Sequence, residues 1–174
     1  MNRRRISSLA VALVLLVSTS PSRADGWNVF AVGPMGGLVF GPEQPTLGLL
    51  GGEVTFVHYA NASGRGVGYG GFVQASAVGF ERARVSFGPQ INTSIFGAEV
   101  GATFESATKD RAAFVGAHLA PFVSIGFASI TFQLDIPFAP LSDGQLPRVE
   151  MVFAGTLKLP IDLEHGVLSP FSSR

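Results

Sequence analysis

The side chains that could do chemistry in this sequence are eight ionisable residues between positions 84 and 162. They are Arg84, Glu99, Glu105, His118, Asp135, Glu150, Lys158 and Asp162. Each lies on the polar side of a segment in which apolar and polar residues alternate. If these side chains share one narrow interior they must pair, because an uncompensated charge in low-dielectric surroundings is costly. The set therefore predicts either a polar pathway or gate, or a structural charge network that fills the interior; we favour the network, because partly satisfied networks are unstable.

The charges of this set are unequal in number. Arg84 and Lys158 are its cations, and they face five carboxylates. We expect at least one carboxylate to lack a partner, because like charges in a confined space compete for few cations. We also expect Lys158 to stabilise the network more than Glu105, which lies near a predicted strand end.

A histidine, a serine and an acid together could form a hydrolytic site, and His118, Ser124 and Glu99 are the nearest candidates. His118 and Ser124 share a strand face but stand six residues apart, about 20 Å along an extended strand, so they cannot hydrogen-bond directly. No other serine is selected by its spacing. We therefore predict no catalytic residue and no intrinsic catalysis.

Glycine-rich and histidine-containing segments do not indicate a cofactor or a metal. The segments 51–54 and 97–101 are rich in glycine, but neither continues into the Gly-Lys-Ser/Thr of a phosphate-binding loop. Glycine in a strand permits bends and close approach of the backbone, which small barrels need. His58 and His165 have no metal-ligand spacing. We expect neither cofactor nor metal.

The elements that position these residues are strands. In 129–138 the apolar residues Ile130, Phe132, Leu134 and Ile136 alternate with polar ones, and successive side chains of a strand point to opposite faces. The same period recurs along the chain, and glycine, proline or asparagine separates the segments. Eight strands are predicted, at 28–40, 49–60, 66–80, 83–92, 93–105, 112–127, 129–138 and 149–163.

The first residues have the pattern of an export signal. Arg3, Arg4 and Arg5 precede an apolar run over 9–17, and Ser22-Arg23-Ala24 is a small-x-small cleavage site. The run is about half of the roughly 20 apolar residues that a spanning helix needs. We predict that 1–24 is a signal peptide, that the mature chain starts at Asp25, and that 25–174 forms one exported barrel domain.

Charge density predicts which face of the strands points outward. Removing residues 1–24 takes away four of the 12 basic residues and none of the 12 acidic ones, so 20 charges remain in 150 residues. A soluble domain carries charge on about a quarter of its residues. The polar faces here hold many Gly, Ala, Ser and Thr residues, which suits a crowded lumen better than a water-exposed surface. We therefore predict Phe132, Leu134, Ile136 and Leu159 against lipid, and Gln133, Asp135 and Lys158 inside.

The export signal and the eight alternating segments together resemble the small outer-membrane barrels of Gram-negative bacteria, the OmpA/OmpX-like and OmpW-like class. The resemblance covers 25–174 and is architectural, without a diagnostic motif. The chain departs from that class at its end, where Phe171 is followed by Ser172, Ser173 and Arg174.

The resemblance implies an all-β fold, a single antiparallel up-and-down barrel of about eight strands, located in the cell outer membrane. The implied partners are outer-membrane lipid and the barrel assembly machinery, and we expect a monomer. The chain offers no basic patch for nucleic acid. The expected role is structural, surface-interacting or limited permeation. Two alternatives stay open: a soluble periplasmic barrel or sandwich that binds an apolar ligand, and a lipid-modifying barrel enzyme.

Overall fold

The computed structural model describes residues 27–42, 44–60, 66–93, 95–162 and 166–167. Every regular element in this part of the chain is a strand, as the sequence predicted. The strands are β1 (Trp27–Gly41), β2 (Gln44–Tyr59), β3 (Gly68–Val78), β4 (Arg82–Asn92), β5 (Phe96–Glu105), β6 (Phe114–Ile125), β7 (Ala128–Pro140), β8 (Glu150–Leu157), β9 (Leu159–Asp162) and β10 (Gly166–Val167). Across the described ranges, no helix has the length and apolar character that crossing a membrane requires.

The strands close into an antiparallel up-and-down barrel. Each of β1 to β7 pairs with the next strand along the chain, and β8 returns to pair with β1, from Met35 opposite Thr156 to Phe40 opposite Met151. Closure leaves neither β1 nor β8 as a free sheet edge over this length, which removes the unpaired backbone groups that edges expose. The predicted fold class is confirmed.

The predicted last strand, 149–163, is interrupted at one residue. Lys158 separates β8 from β9, but the pairing with β1 keeps one register on both sides of it, with Met35 opposite Thr156 and Val32 opposite Leu159. The β9 strand runs past the β6–β7 turn at residues 126–127, so its neighbours are β1 on one side and β10 on the other. This extension adds a short strand pair beyond the eight-stranded ring.

The barrel has two different ends. We call the end where β1 begins and β9 finishes the terminal end. The opposite end, the loop end, carries the connections 106–113 and 141–149. These two connections are joined by a bridge between Arg111 and Gln145 and by a hydrogen bond from the Ala112 N–H to the Gln145 carbonyl at 3.1 Å. Phe114, at the start of β6, is buried beneath them. The joined loops therefore cover the loop end.

Alternation sorts the side chains by face. In β8 every second residue is buried, beginning with Glu150, and the residues between them are exposed. In β7, Gln133 and Asp135 are buried, whereas Phe132 and Ile136 are exposed. The predicted division into an inward and an outward face is therefore confirmed, with Leu134 half-buried on the outward face. Lys158 is partly buried and Leu159 is exposed, also as predicted.

The inner wall of the barrel is not uniform. Between β1, β2, β3 and β8, toward the loop end, the buried side chains form a small apolar cluster of Met35, Val39, Leu49, Val78, Val152 and Ala154. Elsewhere the buried inward positions are mostly polar or charged. The ionisable side chains are consequently held in one continuous interior beside this apolar wall.

Glycine permits the close approach that closes the barrel. A Cβ atom built on Gly33 in β1 would overlap the backbone carbonyl oxygen of Leu157 in β8. On the same strand, a Cβ on Gly36 would meet nothing closer than the Leu49 carbonyl oxygen at 3.8 Å, an ordinary contact. Gly33 is thus required where β1 meets β8, and Gly36 is not.

We predict that Gly33→Ala destabilises the barrel and that Gly36→Ala does not. Relieving the overlap at Gly33 requires β1 and β8 to move apart, which should lower the free energy of unfolding by about 3 kcal/mol. Chemical denaturation of the two refolded variants measures the difference. Equal unfolding midpoints would show that the barrel does not close as described.

Candidate functional site

The predicted ionisable residues lie inside the barrel. Arg84, Glu99, Glu105, His118, Asp135 and Glu150 are all buried, and Lys158 is partly buried. The backbone of Asp162 belongs to β9, and its side chain lies outside the described part of the structure. The seven described residues are joined by further polar residues into three groups that follow one another along the bore.

The first group, which we call the arginine cluster, lies toward the loop end. It contains three guanidinium groups and three carboxylates: Arg82, Arg84, Arg111, Glu105, Asp135 and Glu150. Arg84 is at its centre, since its guanidinium donates to Glu105 at 2.6 and 2.9 Å, to Asp135 at 2.8 Å, and also to Glu150. The charges of this cluster are equal in number.

Strand register explains the contact of Arg84 with Glu105 and the closeness of the other two carboxylates. Arg84 in β4 is paired directly with Glu105 in β5, and Asp135 in β7 is paired with Glu150 in β8. The two pairs stand on opposite walls of the barrel. The Arg84 side chain crosses the bore between them and contacts carboxylates on both sides, so it ties the two walls together.

Two other arginines complete the cluster from its edge. Arg82 donates to Glu105 at 2.6 Å and to Glu150 at 3.0 Å. Arg111 reaches inward from the 106–113 connection and donates to Glu150 at 2.6 Å. Because Arg111 belongs to the joined loops, the same cluster fastens the loop end to the barrel wall.

The second group lies around His118, in the middle of the bore. The His118 Nδ1 atom is 2.9 Å from the Oδ1 atom of Asp135, its directly paired residue on β7, and its Nε2 atom lies 3.7 Å from Glu99. Glu99 also accepts a hydrogen bond from Gln74 at 2.9 Å. Gln133 donates in turn to the Gln74 side-chain oxygen at 3.3 Å. The side-chain amides of Gln74 and Gln133 therefore supply hydrogen bonds in the middle of the bore, where Glu99 has no arginine partner.

The third group lies toward the terminal end. The Lys158 ammonium forms an ion pair with Glu53 and lies 5.7 Å from the centre of the Phe122 ring. Glu53 also accepts weak hydrogen bonds at 3.4 Å from Thr156 and from Gln74. Gln74 contacts both Glu53 and Glu99, and it thereby connects the second and third groups.

Sequence reasoning missed three charged members of this interior. Arg82 and Arg111 were assigned to connections and Glu53 to a glycine-rich segment. Arg82 stands two residues before Arg84, so the strand period could have placed it on the same face. Arg111 carries no such signal, because its position depends on how a loop folds back. With these residues included, the described interior holds four cations against five carboxylates, so the expected acid excess is one charge.

Among the described interior carboxylates, Glu99 is the one that forms no ion pair with an arginine or with Lys158. Its contacts among the described residues are Gln74 and His118. A proton on His118 would make the charges of the interior equal. The carboxylate that lacks a permanent cation, as the sequence predicted, therefore belongs to the middle group. In the arginine cluster the guanidinium groups and the carboxylates are equal in number.

The arrangement gives no basis for hydrolysis or metal binding. His118 is 1% exposed and its Nδ1 atom faces Asp135. Its other ring nitrogen has no hydrogen-bond partner within the described structure, so no serine hydroxyl there contacts it. In the same part of the chain, no three His, Cys, Asp or Glu side chains could together hold a metal ion. His58 contacts Asn28 instead, and His165 lies outside the described residues.

The structure favours the reverse of the expected ranking of Lys158 and Glu105. Glu105 is near the end of β5, but it is 1% exposed and contacts both Arg82 and Arg84. The Lys158 side chain is 15% exposed and pairs with one carboxylate. Removing the partner of a fully buried ion costs more folding free energy than removing the partner of an ion that is in contact with water.

We therefore predict that Glu105→Ala destabilises the folded barrel more than Lys158→Ala. Removing Glu105 leaves two buried guanidinium groups undercompensated and should lower the free energy of unfolding by about 3 to 5 kcal/mol. The loss for Lys158→Ala should be smaller, about 1 to 2 kcal/mol, because Glu53 stays buried but the partly exposed position of Lys158 lets water replace the ammonium. Denaturant titration of both variants gives the comparison, and a larger loss for Lys158→Ala would contradict the proposed hierarchy of the three groups.

Known proteins add no assignment to this geometry. No protein-family model, no curated protein and no solved structure matches the chain. What can be inferred about function consequently depends on the barrel, its two faces and its charged interior.

Proposed function

We propose that this chain is a small integral outer-membrane β-barrel protein without intrinsic catalysis, with a charged interior that closes the bore to solutes. Its role would be structural or surface-interacting, with permeation limited to what the filled bore allows. The observation that carries the proposal is the distribution of charge between the two faces of the strands.

Every charged side chain that is described in β1 to β8 points inward. The seven are Glu53, Arg82, Arg84, Glu99, Glu105, Asp135 and Glu150, and none is more than 4% exposed. Outward positions hold exposed apolar residues instead, such as Val73, Val100, Leu119 and Ile130. Water-soluble proteins rarely expose a continuous apolar surface of this extent, whereas lipid requires one.

Aromatic residues border the apolar surface at both ends. Phe40, Phe104 and Phe138 are exposed near the loop end, and Tyr69, Phe96 and Phe127 are exposed near the terminal end. On β5, the step from Phe96 to Phe104 is about 27 Å along the strand, or about 20 Å along the axis of a barrel with a 40° tilt. Membrane barrels have aromatic girdles around an apolar band of about 25 Å. The spacing supports an orientation with the barrel axis across the bilayer.

The interior supports a closed bore. An eight-stranded barrel leaves room only for side chains, and here long charged side chains cross that room from wall to wall. Arg84 reaches from β4 to carboxylates on β7 and β8, and Arg111 closes the cluster under the loops. Opening a pathway would require several of these pairs to separate together.

The two rival functions fit the interior less well. A soluble barrel that carries an apolar ligand needs an apolar centre, but the middle of this barrel holds His118, Glu99 and Gln133. A lipid-modifying enzyme needs a nucleophile and base that lipid can reach, but His118 is enclosed by the bore. The soluble alternative would also leave the apolar outer surface unexplained.

A pair of arginine substitutions tests membrane placement. Val100 is 53% exposed in the middle of β5, and Ile125 is 79% exposed at the end of β6 beside the 126–127 turn. In a bilayer, arginine on the lipid face costs about 2 to 4 kcal/mol near the midplane and about 0 to 1 near the interface. Val100→Arg should therefore impair folding into lipid vesicles far more than Ile125→Arg. In a soluble barrel both exposed sites would tolerate arginine, so equal folding of the two variants would contradict the proposal.

Carbonate extraction of cell membranes is the companion measurement, and the unaltered protein should stay in the membrane pellet.

A conductance measurement tests the closed bore. We expect the unaltered protein to give no large steady current in planar bilayers, because the matched charges of the arginine cluster fill the cross-section. Insertion is verified in parallel by protease protection of the vesicle-bound protein. A large persistent current would show an open pore and would exclude the closed interior while leaving membrane placement intact.

A further inference from the structure

A half-open cavity lies at the terminal end of the barrel, beside the third charge group. Its volume is about 120 Å³. Ala31, Val57 and Phe122 supply apolar wall, and Gln90, Ser129 and Lys158 supply polar wall. No member of the arginine cluster lines the cavity.

Unpaired polar atoms are concentrated in this cavity. Five buried side-chain polar atoms in the described structure have no hydrogen-bond partner, and three of them belong to residues that line the cavity: Gln90 Oε1, Asn92 Oδ1 and Ser129 Oγ. Gln90 is 5% exposed and Ser129 is 6% exposed. Buried polar groups are almost always hydrogen-bonded, and a group of orphaned atoms around one cavity therefore points to a ligand that bonds them.

The charges around the cavity favour a neutral ligand. Lys158 is the cation in the wall, and Glu53 already matches it. An added anion would be opposed by Glu53 and the nearby Glu99, and an added cation by Lys158. A neutral ligand would have to donate hydrogen bonds to the amide oxygens of Gln90 and Asn92 and to bond the Ser129 hydroxyl. It would also have to offer C–H groups that pack against Val57 and Phe122. A hydroxyl group is suitable because it both donates and accepts.

We infer that this cavity binds a small neutral polyol of about the size of glycerol. Its hydroxyl groups bond Gln90, Asn92 and Ser129, and its carbon atoms pack against Val57 and Phe122. The volume fits this size, since a cavity of about 150 Å³ accepts benzene and a water molecule occupies about 30 Å³. The site is internal to the barrel, so the inference does not depend on whether lipid or water covers the outside.

The test is a titration of the ¹⁵N-labelled mature protein in detergent micelles with glycerol. Backbone amide signals of residues 90 and 126–129 should shift and saturate in the millimolar range, whereas those of Arg82 and Phe114, at the other end, should not. Glucose, acetate and methylammonium serve as comparison probes. They should produce no saturating shift, because the first is too large and the others are charged.

Three variants separate the site from a general solvent effect. Ser129→Ala should weaken glycerol binding about three- to tenfold, the loss expected for one hydrogen bond. Ser86→Ala is the matched control, since Ser86 is buried but bonds Thr103 at 3.0 Å and does not line the cavity. The affinity of this variant for glycerol should be unchanged. Ala31→Leu should fill the space and abolish binding.

The inference is overturned by shifts that stay linear up to molar glycerol, which would mean that water alone occupies the cavity. Equal affinity in Ser129→Ala and Ser86→Ala, or equal binding of glucose, also overturns it. Ser129→Ala keeps the test decisive if Ala31→Leu fails to fold.

Discussion

The fold depends on one constraint: charged side chains that point into a narrow barrel must find their partners there. Arg84 satisfies it most fully, since its guanidinium contacts carboxylates on three strands. Strand register places Asp135 and Glu150 opposite each other, and Arg84 is the one arginine of the cluster that contacts both of these buried carboxylates. The outer face of β1 to β8 can be free of charge because the interior accommodates all the charged side chains described in these strands.

The charged interior has a cost that the rest of the molecule must offset. Taking ions out of water is unfavourable, and a buried ion pair adds little stability compared with well-packed apolar residues. What such pairs provide is geometric selectivity, since an alternative strand register would leave buried charges unpaired. A shift of one residue between β4 and β5 would move Arg84 away from Glu105 and turn it toward the outer face. The network therefore favours the observed register over its neighbours.

The sequence was sufficient for the strands and their faces and insufficient for the contacts between opposite walls. Alternation around Phe132 and Gln133 predicted both the strand and the orientation of its side chains, because these are local properties of an extended chain. The contact of Arg84 with Asp135 depends on how far the sheet curves, which no local pattern encodes. Arg111 reaches the interior from a loop, and the break at Lys158 lies in a continuous alternating run, so neither could be read from periodicity. The cavity was also unforeseen, since it is formed by residues of six or more segments that meet only in the closed barrel.

The long-range contacts of Arg84 have a consequence for the order of assembly. Arg84 is 51 residues from Asp135 and 66 residues from Glu150 in the chain, and Met35 meets Thr156 only when the first and last walls join. A partly assembled sheet would hold its charges on one face without the opposite wall, so it would have to keep that face in water. Hairpins can form early and locally, but the charged face can leave water only as the ring closes. Closure and dehydration of the interior are thereby coupled in a single cooperative step, and a chain interrupted before β8 would have no stable dry intermediate.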